Sequence, residues 1–118
     1  MDYEDKTDRG VTVVILRNQR LDAAMAPQLK AHMVDLIQKG GEAFVLNLEN
    51  VDFMDSSGLA SLMSSMKTLG GRGEMAVCCL GEKVRKLFAI TRLDRGVFRI
   101  FATEAEAVDA LAAAPRAG

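Results

Sequence analysis

The amino-acid sequence predicts an α/β domain in which about four helices cover a central mixed sheet of about four to five strands. Two observations carry this prediction: short apolar runs alternate with helical patterns from residue 11 to residue 112, and no segment of the chain repeats another. Alternation of this kind is typical of strands that are joined by helical crossovers. We expect the later crossovers to be right-handed and to join parallel strands.

The first part of the chain predicts one buried strand and one amphipathic helix. Residues 1–10 are polar and either add a short edge strand or fray. Residues 11–16 are almost continuously apolar, as expected of a strand with both faces covered. After a loop at residues 17–22, Pro27 marks the first turn of a helix, where its missing N–H costs little. The buried stripe of this helix is Leu29, Met33, Leu36 and Ile37, and Gly40-Gly41 ends it.

A second strand and helix flank the most informative segment of the chain, Asp55-Ser56-Ser57-Gly58. Residues 43–48 alternate in the pattern of a strand. Two hydroxyls and a carboxylate therefore lie where a helix start presents unpaired N–H groups and the positive end of its dipole. A phosphate is accepted at such a place without unfolding the helix. The stripe that this helix is expected to bury is Leu59, Leu62, Met63 and Met66.

Two further strands and two further helices complete the predicted domain. A turn at residues 70–73 leads into a strand at residues 74–80, and a short helix follows at residues 82–90. This short helix is expected to bury Val84, Leu87 and Phe88.

The last elements are a strand at residues 97–101 and a helix that begins at a capping box formed by Thr103 and Glu106. The apolar residues of this helix are Ala107, Val108 and Leu111. Because a chain of 118 residues has room for one core, we expect a single domain at residues 1–112 and a flexible tail at residues 113–118.

The two cysteines, Cys78 and Cys79, are neighbours on a predicted strand. Their side chains are therefore expected to point to opposite faces of the sheet and not to form a bridge. We interpret both as buried thiols that pack like small apolar side chains.

The composition predicts a cytoplasmic protein that binds no nucleic acid and inserts into no membrane. The formal net charge of -1 gives no general attraction to polyanions. No apolar run approaches the ~20 residues needed to cross a bilayer, and the first residues do not form a signal peptide.

The residues do not indicate an enzyme, a cofactor or a metal site. The one histidine, His32, falls midway along the first helix and is interpreted as a surface or boundary residue. There is no nucleophile-elbow pattern and no His/Cys cluster with metal-ligand spacing. The glycines of residues 70–73 are not followed by the Lys-Ser/Thr of a phosphate loop. The basic residues Lys83, Arg85, Lys86 and Arg92 are interpreted as a solvated helix face.

The run from Asn47-Leu48-Glu49 to Asp55-Ser56-Ser57-Gly58-Leu59 resembles the signature of STAS domains, named for sulfate transporters and anti-sigma factor antagonists. The resemblance is greatest to the small bacterial anti-sigma factor antagonists of partner-switching circuits. It continues through residues 73–78, 84–88 and 91–93, and covers residues 10–112.

The resemblance implies that a partner kinase phosphorylates Ser56, the serine that directly follows the aspartate. Ser57 is the second choice. Considered without the resemblance, Ser56 is interpreted as a capping or first-turn residue that is favoured there for its hydrogen bonding, and Asp55 either caps the helix or orients the hydroxyl.

The resemblance also implies that the signature helix and the loop before the first helix contact the kinase. In that loop, Gln19-Arg20-Leu21-Asp22 keeps the Leu-Asp of the family but has arginine where an acidic residue is usual, which alters partner specificity. Ser61, Ser64, Ser65 and Thr68 are expected on the outer face of the helix, where small polar side chains either leave a flat surface for a partner or form an ordinary solvent face. The expected partner-binding residues are Asp22, Asp55, Ser56, Ser57, Gly58, Ser61, Ser64 and Ser65.

The function that the resemblance implies is that of an anti-sigma factor antagonist. Its unphosphorylated form binds an anti-sigma factor serine kinase of the histidine-kinase-like ATPase fold and so releases the sigma factor. Phosphorylation ends binding, and a PP2C-type serine phosphatase restores it. The alternative is a constitutive STAS adaptor subunit of an ABC-type lipid transport system, in which Ser56 only caps a helix.

Overall fold

The structure is a computed structural model that describes residues 2–113. The predicted tail at residues 113–118 lies outside this range except for Ala113, which ends the last helix. The helices are α1 (Ala26–Gln38), α2 (Ser56–Leu69), α3 (Glu82–Ile90) and α4 (Glu104–Ala113). The strands are β1 (Tyr3–Asp8), β2 (Val11–Leu16), β3 (Arg20–Leu21), β4 (Ala43–Asn47), β5 (Phe53–Met54), β6 (Glu74–Cys78) and β7 (Arg99–Phe101).

The predicted fold class, a mixed sheet with helices on it, is confirmed. Five strands form one sheet in the order β1-β2-β4-β6-β7. The pair β1–β2 is antiparallel, whereas β2–β4, β4–β6 and β6–β7 are parallel. The parallel arrangement brings the carboxyl ends of β2, β4, β6 and β7 to one edge of the sheet.

Two separate apolar clusters cover the two faces of the sheet. Phe44 and Leu46 of β4 pack with residues of α1, α2 and α3 on one face. Ala43 and Val45 of the same strand pack with α4 on the other. Both faces of β4 are thus buried, which explains why the central strands are almost continuously apolar.

The polar N-terminal segment forms an edge strand and does not fray. Strand β1 pairs with the whole of β2, although all six of its side chains are exposed. His32 of α1 contacts β1 at two residues. Its ring stacks on the Tyr3 ring at 3.8 Å, and its Nε2 lies 2.8 Å from Asp5 Oδ2. His32 is therefore a boundary residue, as predicted.

A second, two-stranded parallel sheet was not predicted. It pairs Arg20 with Phe53 and Leu21 with Met54, so β3 lies beside β5. The N–H groups of Asp52 and Phe53 also donate to the Gln19 carbonyl, at 2.8 and 3.1 Å. This small sheet joins the loop before α1 to the segment before α2.

The expectation that Cys78 and Cys79 point to opposite faces is wrong. Strand β6 ends at Cys78, and Cys79 has φ +63°, so the alternation of a strand does not extend to it. Cys78 is buried as predicted, but Cys79 is only half-buried and packs against the same apolar cluster. Their Sγ atoms are 3.4 Å apart.

Candidate functional site

Asp55 joins the two segments that the sequence assigns to a partner. It is the N-cap of α2, and its Oδ1 accepts a hydrogen bond from the Gly58 N–H at 2.9 Å. Its Oδ2 accepts from the Ala23 N–H at 3.2 Å, and its own N–H donates to the Leu21 carbonyl at 3.3 Å. Asp55 therefore both caps the helix and holds the loop before α1 against it.

Gly58 allows α2 to begin in direct contact with β3. A Cβ atom at this position would lie 2.2 Å from the Leu21 carbonyl oxygen and 3.0 Å from Leu21 Cγ. The obstacle is backbone, so a side-chain rotation cannot relieve it. The glycine of the signature thus fixes where the start of α2, and with it Ser56, lies on the domain.

Ser56 is exposed at the first position of α2. Asp55 occupies the cap, so Ser56 is a first-turn residue but not the capping one. Among residues 2–113, nothing hydrogen-bonds to the Ser56 hydroxyl. Ser57, the second choice, is half-buried. The hydroxyl of Ser56 is thus the more accessible of the two at the positive end of the helix dipole.

The expectation that Ser61, Ser64 and Ser65 form an outer face is wrong. Ser61 is 6% exposed and Ser65 is fully buried. Their hydroxyls donate to carbonyls of the preceding turn, Ser61 to Gly58 at 2.6 Å and Ser65 to Ser61 at 2.7 Å. Small side chains that satisfy their own hydroxyls in this way suit a helix that packs closely against another helix.

Lys30 of α1 reaches over the same side of α2. Its Nζ donates to the Ser64 carbonyl at 2.9 Å and to the Thr68 Oγ1 at 2.5 Å, which leaves Ser64 and Thr68 half-buried. Ser64 and Thr68 therefore lie on the side of α2 that faces α1.

The accessible face of α2 lies about one third of a turn away from these serines. Ser56, Ala60 and Lys67 are exposed and Met63 is half-buried, and their spacing of four, three and four residues puts them on one line. We call these four residues the docking line. Sequence analysis did not identify this line, because it assigned Met63 to the buried stripe; Met63 does pack against the main apolar cluster, but only in part.

Asp22 shapes the loop before α1. Its Oδ1 accepts from the N–H groups of Ala24 and Met25, at 3.1 and 3.3 Å, and its Oδ2 lies 3.4 Å from Arg20 Nε. Desolvation raises the pKa of Asp22, but the hydrogen bonds from Arg20, Met25 and Ala24 outweigh it, and the pKa lies below its ordinary value. Asp22 is thus held as a carboxylate that orders the loop.

Arg20 and Phe53 form an exposed pair that sequence analysis did not identify. The guanidinium carbon of Arg20 lies 4.2 Å from the centre of the Phe53 ring, and Phe53 remains 38% exposed. The contact is a cation–π interaction between the two strands of the small sheet. An adjoining open groove of about 430 Å³ is lined by Arg17, Asn18, Gln19, Arg20, Asp22, Ala24 and Met25.

Asn47, the first residue of the signature, has a structural role on the other face of the sheet. It is 3% exposed. Its side-chain Nδ2 donates to Glu104 Oε1 at 2.9 Å, and its side-chain Oδ1 accepts from the Glu49 N–H at 2.9 Å. Desolvation raises the pKa of Glu104, but its hydrogen bonds to Lys6 and Asn47 lower it by more. Asn47 thus orders the start of the segment that leads to Ser56.

Replacing Asp55 with alanine is expected to lower the free energy of unfolding by about 1–2 kcal/mol, because the cap of α2 is lost. The Ala23 N–H loses its partner too, so its amide should exchange faster with solvent. Asp55→Asn separates the two bonds, since its side-chain oxygen can still cap α2 while its NH2 group cannot accept from the Ala23 N–H. Urea denaturation and hydrogen exchange measure both effects. Unchanged stability of Asp55→Ala would refute the role of Asp55 as a cap, and unchanged exchange at the Ala23 amide would refute its role as a bridge.

No group of three or more His, Cys, Asp or Glu side chains between residues 2 and 113 could hold a metal ion. Over the same range, no helix is both long and apolar enough to cross a membrane.

A protein with this sheet order, and with a capped helix start placed against a two-stranded sheet, has the architecture of a STAS domain. Residues 3–107 match the family model of the STAS domain. The chain therefore belongs to the STAS family. Within it, the chain is similar to the anti-sigma factor antagonists: the anti-sigma F factor antagonist of Paenibacillus polymyxa is 34% identical over 113 residues, covering 94% of this chain and 92% of that protein.

Solved structures show the same likeness. An anti-sigma factor antagonist from Mycobacterium paratuberculosis superposes with a TM-score of 0.85 at 26% identity, covering 93% of this chain and 92% of that one. The antagonist SpoIIAA in its unphosphorylated form gives a TM-score of 0.72 at 26% identity, covering 96% of this chain and all of that one. Bacillus SpoIIAA in its phosphorylated form gives a TM-score of 0.70 at 28% identity, covering 92% of this chain and 98% of that one.

Proposed function

We propose that this protein is a cytoplasmic anti-sigma factor antagonist whose binding is controlled by phosphorylation of Ser56. The observation that carries the proposal is the exposed Ser56 hydroxyl, which follows the capping Asp55 at the start of α2. The names of its relatives support the first part, and the existence of SpoIIAA in phosphorylated and unphosphorylated forms supports the second.

In this proposal the unphosphorylated protein binds an anti-sigma factor serine kinase of the histidine-kinase-like ATPase fold. The docking line of α2 and the loop that contains Asp22 form the contact surface. The kinase contributes ATP and the catalytic groups, while this chain contributes an acceptor hydroxyl and is not itself an enzyme. A PP2C-type phosphatase removes the phosphate and restores binding.

The position of Ser56 supports a switch in which a phosphate changes binding without changing the fold. The Gly58 N–H is already bonded to Asp55, but the N–H groups of Ser56 and Ser57 have no partner in the part of the chain that the structure describes. A phosphate adds about -1.5 to -2 charges at neutral pH. At a helix start this charge is favourable, whereas burying it against a surface built for a hydroxyl is costly.

The experiment is phosphotransfer from the kinase of the histidine-kinase-like ATPase fold that is encoded nearest to this gene. One phosphate per chain is expected, and peptide mass spectrometry should locate it on Ser56. Ser56→Ala should abolish incorporation, whereas Ser57→Ala should retain it. Phosphate on Ser57, or no phosphate with a kinase that is active on another substrate, would overturn the proposal. Stable binding to transporter subunits irrespective of Ser56 would favour the adaptor alternative.

A further inference from the structure

Two thiols lie in contact where β6 ends. Cys78 is the last residue of the strand and is fully buried, whereas Cys79 is half-buried. The left-handed conformation of Cys79, φ +63°, turns its side chain back towards its neighbour, and the two Sγ atoms lie 3.4 Å apart. Few non-glycine residues adopt this conformation, so the arrangement is specific to this turn.

The peptide group between the two cysteines is bonded to the strands on either side. Its carbonyl, that of Cys78, accepts from the Leu48 N–H at 3.1 Å. Its N–H, that of Cys79, donates to the Phe101 carbonyl at 3.2 Å. Leu48 immediately follows β4 and begins the segment that leads to Ser56, so this one peptide links the thiol pair to the signature.

We propose that Cys78 and Cys79 are a reversible oxidation site that hydrogen peroxide converts to a vicinal disulfide. Neither the proposed phosphorylation nor the docking line is needed for this reaction. The order of the two reaction steps follows from the geometry: the sulfurs are in contact, and Cys78 is more deeply buried than Cys79.

Cys79 reacts first because it is half-buried, whereas Cys78 is fully buried. The Cys79 thiol releases its proton, the thiolate attacks one oxygen of the peroxide and the O–O bond breaks. The departing hydroxide takes up the released proton, so the products are a sulfenic acid on Cys79 and one water. The Cys78 sulfur then attacks the Cys79 sulfur, the S–O bond breaks, and the Cys78 proton leaves with the hydroxide as a second water. The two thiols are oxidised by two electrons, and one peroxide is reduced to two waters.

Burial raises the pKa of the Cys78 thiol, which suits a resolving role in contact with its target better than a first attack on a dissolved oxidant. The proximity of the two sulfurs, 3.4 Å, makes the second step intramolecular.

The resulting bond is easily reduced. Adjacent Cα atoms are ~3.8 Å apart, whereas unstrained disulfides span about 4.4–6.8 Å between Cα atoms. Strained disulfides have higher reduction potentials and belong to the labile, regulatory class. A dithiol reductant of the thioredoxin type is therefore expected to reduce this disulfide back to two thiols.

A disulfide between adjacent cysteines closes an eight-membered ring that contains the peptide group between them. Formation of the disulfide therefore changes the orientation of the Cys78–Cys79 peptide group. The Cys78 carbonyl and the Cys79 N–H must turn as the sulfurs approach from 3.4 Å to about 2.0 Å. The bonds to Leu48 and Phe101 are the ones expected to weaken. Oxidation should therefore loosen the segment before Ser56 while both apolar clusters stay packed.

The test exposes the full chain to hydrogen peroxide and follows free thiols, intact mass and peptide mass. The expected result is a monomer that has lost two hydrogens, with the change confined to a peptide that contains both cysteines and reversed by dithiothreitol. Cys79→Ala should consume peroxide at least tenfold more slowly. Cys78→Ala should stop at the sulfenic acid, which dimedone traps. Hydrogen exchange at the Leu48 amide should speed up in the oxidised protein by tenfold or more.

Phenylarsine oxide, which binds two neighbouring thiols, gives a measurement on the unchanged protein that needs no variant to fold. One arsenical per chain is expected on the reduced form and none on the oxidised form. Three outcomes would each overturn the proposal. They are disulfide-linked dimers, a sulfinic acid on Cys79, and two thiols that remain unoxidised at a peroxide concentration sufficient to oxidise dithiothreitol.

Discussion

Gly58→Ala is expected to lower the free energy of unfolding by about 2–3 kcal/mol, the upper range for an added methyl group in a packed site. The new Cβ atom would lie 2.2 Å from the Leu21 carbonyl oxygen, so the start of α2 must move away from β3. For a chain of this size the midpoint of thermal unfolding should fall by about 10 °C. Calorimetry and urea denaturation measure the change.

Gly71→Ala is the matched control for this prediction. A Cβ atom there meets nothing within 4 Å, and the residue has no positive φ. Its effect should stay within ±1 kcal/mol and can be slightly stabilising, since alanine restricts the unfolded chain. Equal effects of the two substitutions would show that the contact with Leu21 does not decide the position of α2.

Gly58→Ala should also weaken kinase binding, because Ser56 moves with the first turn of α2. The loss is expected even at low temperature, where most of the variant is folded. Titration of the folded variant with the kinase separates this displacement from simple unfolding. Full-strength binding by folded Gly58→Ala would place the first turn of α2 outside the interface.

Ser56→Asp is expected to weaken kinase binding at least tenfold, which corresponds to ~1.4 kcal/mol, while stability changes by less than about 1 kcal/mol. Aspartate in the first turn is favoured by the helix dipole, so the fold tolerates the charge. Binding must desolvate that charge against a surface that fits a neutral hydroxyl. Aspartate has less charge than phosphate, so phosphorylated protein should bind more weakly still.

Two controls separate charge from position in this experiment. Ser56→Ala removes the hydroxyl without adding charge and should bind normally. Thr103→Asp adds the same charge at the start of α4, where Thr103 Oγ1 now accepts from the Glu106 N–H and an aspartate can cap equally well. Because α4 covers the opposite face of the sheet, Thr103→Asp should bind normally. Unfolding of Ser56→Asp would contradict the prediction, since it would make Ser56 structural.

Local patterns in the sequence were enough to predict the elements that depend on neighbouring residues. The predicted strand at residues 43–48 is observed as Ala43–Asn47, and the predicted helix at residues 82–90 is observed unchanged. The Thr103 cap is confirmed, since its hydroxyl accepts from the Glu106 N–H at 3.1 Å. Burial was also largely predictable: Val84 and Phe88 are buried, and Leu87 is half-buried.

Element boundaries were less well predicted where a strand ends by pairing and not by composition. The predicted strand at residues 74–80 stops at Cys78, and the one at residues 97–101 begins only at Arg99. Leu80 beyond the first strand and Phe98 before the second are still buried, whereas Val97 is 39% exposed. Apolar character reports burial, whereas a strand also needs a hydrogen-bonding neighbour in register.

By itself the sequence determined the fold class and the place of Ser56 at the start of a helix, because each depends on periodicity or on adjacent residues, and the resemblance of its signature segment indicated the family. Only the tertiary structure decided which side of that helix is accessible. Ser61 and Ser65 are polar but buried, and Asp55 bonds to Ala23, which is 32 residues away in the chain. Hydroxyls that bond to their own helix can be buried at little cost, so polarity in the sequence does not reveal which face another helix will cover.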